Sequence, residues 1–355
     1  MKCEYEIGND MKAESTEFVG SCGKYAGLQC PLKKRIKIKF LGFAPYHKPH
    51  EQAYYRFLSE RYDVVECDDP DYIIDGGLDF RHVKYDCVKI LLNGENTVPN
   101  FDLYDYAVAS SDLSFGDRYL RMPWFAFYPC FACITQRKTE PDESLLNRGF
   151  CSFVVSNAEF GDPMRRKFFE ALSKYKPVAS GGRYRNNVGG PISDKVAFCR
   201  GYKFNIAFEN SSYPGYTTEK IMEAYVAQTV PVYYGNPTVE TDFRVDSMVR
   251  VTSEADIERA IEEIVRLDRD DEAYLKVVTA QCLVEDSPFV YEQRLESFLA
   301  HIFDQPIGTA GRLCSYGCQA MMRRHLKPIR LMDQRLRDSA VFRWVAGISG
   351  KIRSR

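Results

Sequence analysis

Short apolar runs and amphipathic stretches alternate along this chain. Residues 36–43 form a mostly apolar run that predicts a strand, and residues 51–61 place Tyr54, Phe57 and Leu58 on one helical face. Short strands are expected at 64–65 and 72–74, and a buried strand at 88–92. A polar segment at 136–149 separates these from a second series. That series reads as a strand at 151–156, a helix at 162–175, a strand at 203–208, a helix at 217–227 and a strand at 230–234. In the last helix Ile221 and Tyr225 sit four apart, as do Met222 and Val226, so much of it is buried. Amphipathic helices follow at 257–267 and 291–303. Strands alternating with helices predict an α/β protein with parallel sheets. The expected organisation is a loosely ordered leader at 1–34, one Rossmann-like domain at 35–140, a second at 150–304 and a tail at 305–355.

Polar residues gather where such units bind ligands. The strand at 203–208 runs into Glu209 and Asn210. Pro214 and Gly215 make a turn, and Tyr216, Glu219 and Lys220 lie at the start of the next helix. In open α/β sheets the crevice beyond the carboxyl ends of the strands is the ligand site. A helix start there suits phosphate, because its N–H groups are free and its dipole is positive. Lys220 works against that dipole, a conflict that a bound phosphate would relieve. In the first half, the strand at 88–92 ends in Asn93-Gly94-Glu95-Asn96. Taken alone, this segment fits a turn as well as a catalytic carboxylate. Residues 180–187, SGGRYRNN, hold two glycines and two arginines, as a pyrophosphate loop or a solvated basic turn would. Asp69-Pro70-Asp71 reads as a turn rather than a metal-binding D-x-D. His47-x-x-His50 lies in a Pro-rich loop and is not expected to bind metal.

Composition narrows the classes. The 355 residues allow two α/β domains, and a formal net charge of −1 gives no global attraction to nucleic acid. The 12 cysteines are too few in a chain this long for a disulfide scaffold. Cys130-x-x-Cys133 and Cys314-x-x-x-Cys318 lack a matched second pair, so both read as reduced thiols. The first residues contain no apolar signal region, and no run approaches the ~18 apolar residues of a spanning helix.

The wording of these segments resembles the α-1,3/4-fucosyltransferases of glycosyltransferase family 10. FNIAFENS, GYTTEK and VPVYYG in the second half match the family's donor-binding signature. LLNGEN, PNFDLYDYAVAS and FGDRYLRMP match a second block, in the first half. The resemblance covers roughly residues 36–304. It implies the GT-B architecture, two Rossmann-like domains facing across a cleft, with the acceptor on the first and GDP-fucose on the second. It implies inverting transfer of L-fucose from GDP-β-L-fucose to a GlcNAc hydroxyl of N-acetyllactosamine-type or lacto-N-biose-type glycans, as in Lewis antigen synthesis. Glu95 would be the catalytic base. Lys220 and Arg185 (Arg183 being the alternative) would hold the diphosphate. Glu219 would bond the fucose or ribose, and Tyr216 and Asn210 would shape the pocket. No metal is obligatory, a divalent ion being at most stimulatory. A GT-B transferase using another nucleotide sugar, or a non-catalytic sugar- or nucleotide-binding protein, are the alternatives.

The tail has a different character. Residues 323–355 carry ten basic and two acidic side chains, interleaved with Leu331, Leu336, Val341, Phe342, Trp344, Val345 and Ile348. Such a segment suits peripheral contact with an anionic membrane; nucleic-acid binding and a plain solvated helix compete. Without the N-terminal anchor of animal members, the expectation is a bacterial-type cytoplasmic enzyme, peripheral on the inner face of the membrane.

Overall fold

Residues 33–156, 161–285 and 287–339 are described by the structure, a computed structural model. Among them two parallel sheets form. The first contains β1 (Arg35–Leu41), β2 (Asp63–Glu66), β3 (Tyr72–Asp75), β4 (Val88–Asn93), β5 (Tyr106–Ala109) and β6 (Tyr119–Arg121), in the order β2-β1-β3-β4-β5-β6. The second contains β7 (Gly149–Phe153), β8 (Val178–Ser180), β9 (Tyr202–Phe208), β10 (Val230–Tyr234) and β11 (Val249–Arg250), in the order β11-β10-β9-β7-β8. Every strand pair in both sheets is parallel. The runs that read as buried strands, β3, β4 and β10, have no exposed residue, as a sheet covered on both faces requires.

The α-helices among the described residues are α1 (Ala53–Arg61), α2 (Met164–Leu172), α3 (Lys195–Cys199), α4 (Glu219–Val226), α5 (Ile257–Arg269), α6 (Asp271–Thr279), α7 (Phe289–Asp304), α8 (Ile307–Ala310) and α9 (Gly317–Asp338); α1, α2, α4, α5 and α7 fall on the expected amphipathic stretches. Each sheet reverses its strand order once, between β1 and β3 and between β7 and β9. The carboxyl ends of strands at such reversals form the ligand crevice.

Helix α7 departs from the expected division at residue 304. It returns to the first sheet. Its Phe303 ring lies 4.6 Å from that of Tyr72 and 5.7 Å from that of Tyr62. The Tyr62 hydroxyl donates to Asp304 Oδ1 at 2.7 Å. Leu295, Leu299 and Ile302 share one apolar cluster with Ile36, Ile38 and Ile90 of the first sheet. That sheet needs a cover on this face, and the apolar stripe of α7 supplies it. The polar segment at 136–149 is likewise no free linker. Arg137 is buried, donates to the carbonyls of Val278 (2.8 Å) and Ala280 (3.1 Å), and lies over the Tyr225 ring.

The tail is also anchored in part. The buried Gln334 of α9 accepts a hydrogen bond from the Phe80 N–H at 2.9 Å, and Arg330 and Arg337 lie over the Phe80 ring. The basic amphipathic segment therefore rests on the first domain along 317–338. Phe342, Trp344 and the other tail residues from 340 on lie outside the described residues, as does most of the leader.

The two halves meet through Phe243, whose ring stands 4.9 Å from Phe125 and 5.3 Å from Tyr225. Beside it Arg121 of β6 makes a bidentate pair with Asp242, at 2.9 and 2.6 Å, and reaches Asp112 at 2.6 Å. Burial pulls the Arg121 pKa down, but the Asp242 hydrogen bonds and charge outweigh it, so the net shift is upward. Gly215 touches the first domain directly. Its φ is +86°, and a Cβ there would stand 2.2 Å from the Ser110 carbonyl. Only glycine fits both the angle and the approach.

Removing one partner of a buried pair strands the other charge, at ~3–5 kcal/mol. Arg121→Met should therefore lower urea-unfolding stability by about that much, and adding Asp242→Asn should restore most of the loss. An unchanged midpoint in the single variant would show that the pair does not hold the halves together.

Candidate functional site

Polar residues beyond the carboxyl ends of both sheets converge on one pocket of about 220 Å³ between them. Its walls include Glu95 after β4, and Asn210, Tyr216, Glu219 and Lys220 around the start of α4. Five of the six expected site residues are thus brought together. Arg185 is not. It sits with φ +46° on the loop after β8, exposed, and pairs with Glu170 of α2 at 2.6 Å. Arg183 is exposed as well. The loop SGGRYRNN holds itself by internal bonds: Ser180 donates to the Tyr184 carbonyl, and Asn186 to those of Gly182 and Gly190.

The first-domain side is built on a tight turn. Asn93 Oδ1 accepts from the Glu95 N–H at 2.6 Å, which aims Glu95 outward from the end of β4. Gly94 lies under the Trp124 indole, where a Cβ would fall 2.0 Å from the ring. Glu95 is exposed, and its carboxylate makes no ion pair among the described residues. Asn96 donates to Ser211 Oγ at 2.7 Å, a hydrogen bond from one domain to the other beside the pocket. His47 stacks on Phe43 (4.6 Å), bonds the Tyr54 hydroxyl at 3.0 Å and faces Trp124, while His50 pairs with Glu66. The two histidines thus have separate partners. Among the described residues no cluster of three or more His, Cys, Asp or Glu could hold a metal ion.

The second-domain side rests on Glu209, whose side chain is fully buried. Its carboxylate accepts from the Thr218 N–H and hydroxyl, both at 2.7 Å, and from Lys220 Nζ at 3.1 Å. Lys220 also reaches Thr218 Oγ1 at 2.8 Å and Glu219 at 3.2 Å. The conflict between Lys220 and the α4 dipole is therefore already relieved by protein carboxylates. Burial lowers the Lys220 pKa, but Glu209 and Glu219 reverse this to a net rise. Burial likewise raises the Glu219 carboxyl, yet Lys220 and Lys195 bring it down to about 2. Tyr216 is nearly fully buried, and its hydroxyl is pushed up by burial and then by the Glu209 and Glu95 charges. The turn before α4 is pinned by Asn236, which accepts from the Gly215 N–H at 2.7 Å and donates to Thr217 Oγ1 at 3.0 Å.

Sequence reasoning missed Arg165. It is buried in α2 and donates to the Phe208 carbonyl at 2.8 Å and to Asn210 Oδ1 at 2.6 Å. Its position gave a usable signal. Phe168, Phe169 and Leu172 follow at helical spacing, so the arginine lies on an otherwise apolar face. Trp124 and Tyr128, which wall the pocket, were also missed. Trp124 opens the 3₁₀ helix Trp124–Phe127, and Tyr128 joins it to a second one, Pro129–Gln136.

Residues 38–128 match the model of the α-(1,3)-fucosyltransferase FucT N-terminal domain, and residues 147–280 that of the glycosyltransferase family 10 (fucosyltransferase) C-terminal domain. An α-(1,3)-fucosyltransferase of Helicobacter pylori is 33% identical over 267 residues, 63% of this chain and 55% of that protein. A putative fucosyltransferase of Acanthamoeba polyphaga mimivirus is 24% identical over 63% of this chain and 39% of its own length. The chain thus spans about half, or less, of these curated relatives. A solved α1,3-fucosyltransferase with GDP superposes with a TM-score of 0.66 at 27% identity, over 84% of this chain and 96% of that one. The form with GDP-fucose gives 0.62 at 28%, over 79% and 94%. The architecture is GT-B, both characteristic domains are present in order, and the chain belongs to glycosyltransferase family 10.

Proposed function

We propose that the chain transfers L-fucose from GDP-β-L-fucose to a GlcNAc hydroxyl of a glycan acceptor, with inversion. The observation that carries this reading is the single pocket in which Glu95 of one domain faces Glu219 and Lys220 of the other. The names of the relatives support fucose as the sugar and the α-1,3 linkage. N-acetyllactosamine-type acceptors belong to the proposal, as does α-1,4 transfer to lacto-N-biose-type acceptors.

Inversion by direct displacement needs a base and a stabilised leaving group. Glu95 is exposed and unpaired among the described residues, so its carboxylate is free to take the acceptor proton. General-base catalysis contributes ~10²–10⁴-fold. The departing GDP develops negative charge. Lys220, fixed by Glu209 and Glu219, presents a cation whose position costs no rearrangement, and the start of α4 adds its dipole. Glu219 remains an ionised acceptor for a fucose or ribose hydroxyl. Trp124 and His47 offer aromatic faces to an acceptor sugar.

Peripheral attachment to an anionic bilayer belongs to the same proposal. Met322, Ile329, Met332 and Leu336 recur at helical spacing on α9 and are each more than half exposed. Among the described residues no helix is long and apolar enough to cross a membrane.

Glu95→Gln keeps shape and removes proton acceptance. Turnover of GDP-fucose should fall ~10²-fold or more while GDP affinity holds; near-normal turnover would remove Glu95 from the reaction. Lys220→Ala should weaken GDP binding by ~1.5–3 kcal/mol, the worth of a hydrogen bond to a charged group. Calorimetry below the variant's melting transition reads this, and an unchanged Kd would show that Lys220 serves only Glu209. Replacing Ile329, Met332 and Leu336 by Ser should reduce co-sedimentation with anionic vesicles. Raising salt on the unaltered chain should do the same, because exposed charges are screened within ~10 Å at 0.1 M. Equal sedimentation by both chains would exclude α9 as the contact.

A further inference from the structure

A second cavity, of about 750 Å³, lies under α9 at the opposite end of the first sheet. It opens at the amino ends of the strands, where Asp71 precedes β3, Val88 begins β4 and Asp105 precedes β5. The fucose-transfer reading uses the carboxyl ends and leaves this cavity unexplained. We propose that it binds a phosphate-bearing anion, gripped between the basic face of α9 and the floor of the sheet.

The argument is a charge balance. The acidic groups in the walls are already committed. Asp69 and Asp71 pair with Lys37 at 2.9 and 4.0 Å. Asp105 accepts from the N–H groups of Lys89, Arg312 and Leu313, at 2.9, 2.6 and 3.0 Å. Asp86 faces Lys327 at 3.5 Å. The cations are not balanced in this way. Arg323 and Arg324 donate only to the carbonyls of Cys314 and Ser315, and Arg330 has the Phe80 ring. Lys89, 8% exposed, donates only to the Cys87 carbonyl at 3.1 Å. Four positive side chains therefore border one cavity with no carboxylate in ion-pair distance among the described residues, Lys89 feeling Asp105 and Asp86 only at longer range. Arg323, Lys327 and Arg330 stand at i, i+4 and i+7, so one helix face points three cations inward.

A buried polar group adds a separate observation. His82 lines the cavity, is 1% exposed, and its Nε2 has no hydrogen-bond partner. Its Nδ1 lies 2.9 Å from Asp75 Oδ2, whose other neighbour is the Tyr104 hydroxyl at 2.5 Å. A buried polar atom without a partner is costly. A phosphate-bearing anion supplies both needs. Its charged oxygens match the guanidinium forks, and an oxygen or hydroxyl of the same anion is a partner for Nε2. The phosphate could come from a soluble phosphorylated compound or from a lipid headgroup.

The test uses the full chain with GDP at saturation, so that the cleft between the sheets is filled. Inorganic phosphate and glycerol 3-phosphate are titrated by calorimetry, and vesicles of phosphatidylglycerol are compared with phosphatidylcholine by sedimentation. The unaltered chain should bind at least one anionic probe, and Arg323→Gln/Arg330→Gln should bind it at least tenfold more weakly with unchanged GDP affinity. Capture of the soluble probes would identify a free phosphate ligand. Capture of phosphatidylglycerol vesicles alone, with a tenfold loss in Lys89→Met, which lies on the sheet and off the outer face of α9, would identify a headgroup. If the double variant melts early, Lys89→Met, on the sheet side and of similar length, carries the same comparison. No binding in any arm, or equal binding by the unaltered chain and the variants, overturns the proposal.

Discussion

A carboxylate with no exposed surface organises the donor-side half of the pocket. An ionised group cannot be buried alone, so Glu209 must be met by donors from every side. Thr218 gives two and Lys220 a third. These bonds fix where α4 begins and hold a lysine at its start, where a helix would otherwise repel it. The demand also reaches β10. Gly235 follows that strand, and a Cβ there would stand 2.4 Å from Glu209 Cγ. The final glycine of VPVYYG and the glutamate of FENS are thus two halves of one packing requirement.

The acceptor side depends on a different contact. Glu95 faces Glu219 and Lys220 only because the domains are held at one angle. The Phe243 cluster and the Arg121–Asp242 pair set that angle, while Gly215 lets the α4 turn lie against Ser110. None of these residues lines the pocket. A relative movement of the domains would break that packed aromatic contact unless it pivoted about it.

Much of this was legible in the linear pattern. Continuous apolar runs became β4, β9 and β10, and polar breaks at their carboxyl ends became the pocket. What failed to show had a common cause: its signal lies in partners distant along the chain. β5, β6, β8 and β11 are two to four residues long, too short to establish a period. Helix α7 carries an ordinary apolar stripe, which does not say which sheet it covers. Arg185 has the loop chemistry of a pyrophosphate ligand, and its pairing with Glu170, fifteen residues earlier, is not readable from the loop itself. Lys220 was placed correctly at the helix start, but its balancing carboxylate belongs to the preceding strand and comes close only in the folded chain.

The return of α7 and α9 to the first sheet bears on how the molecule is made. Ile36, Ile38 and Tyr72 share their cluster with Leu299 and Phe303, which leave the ribosome only after the second sheet has been made. Synthesis proceeds at ~5–20 residues per second, so the stretch from Arg121 to Phe289 takes on the order of ten seconds or more. Throughout that interval the nascent first sheet has one apolar face without its native cover. The strands appear first, but their domain is completed only after the whole second sheet has emerged. Any truncation before α7 therefore leaves this apolar face bare, which makes chaperone capture and aggregation of incomplete chains a property of the topology itself.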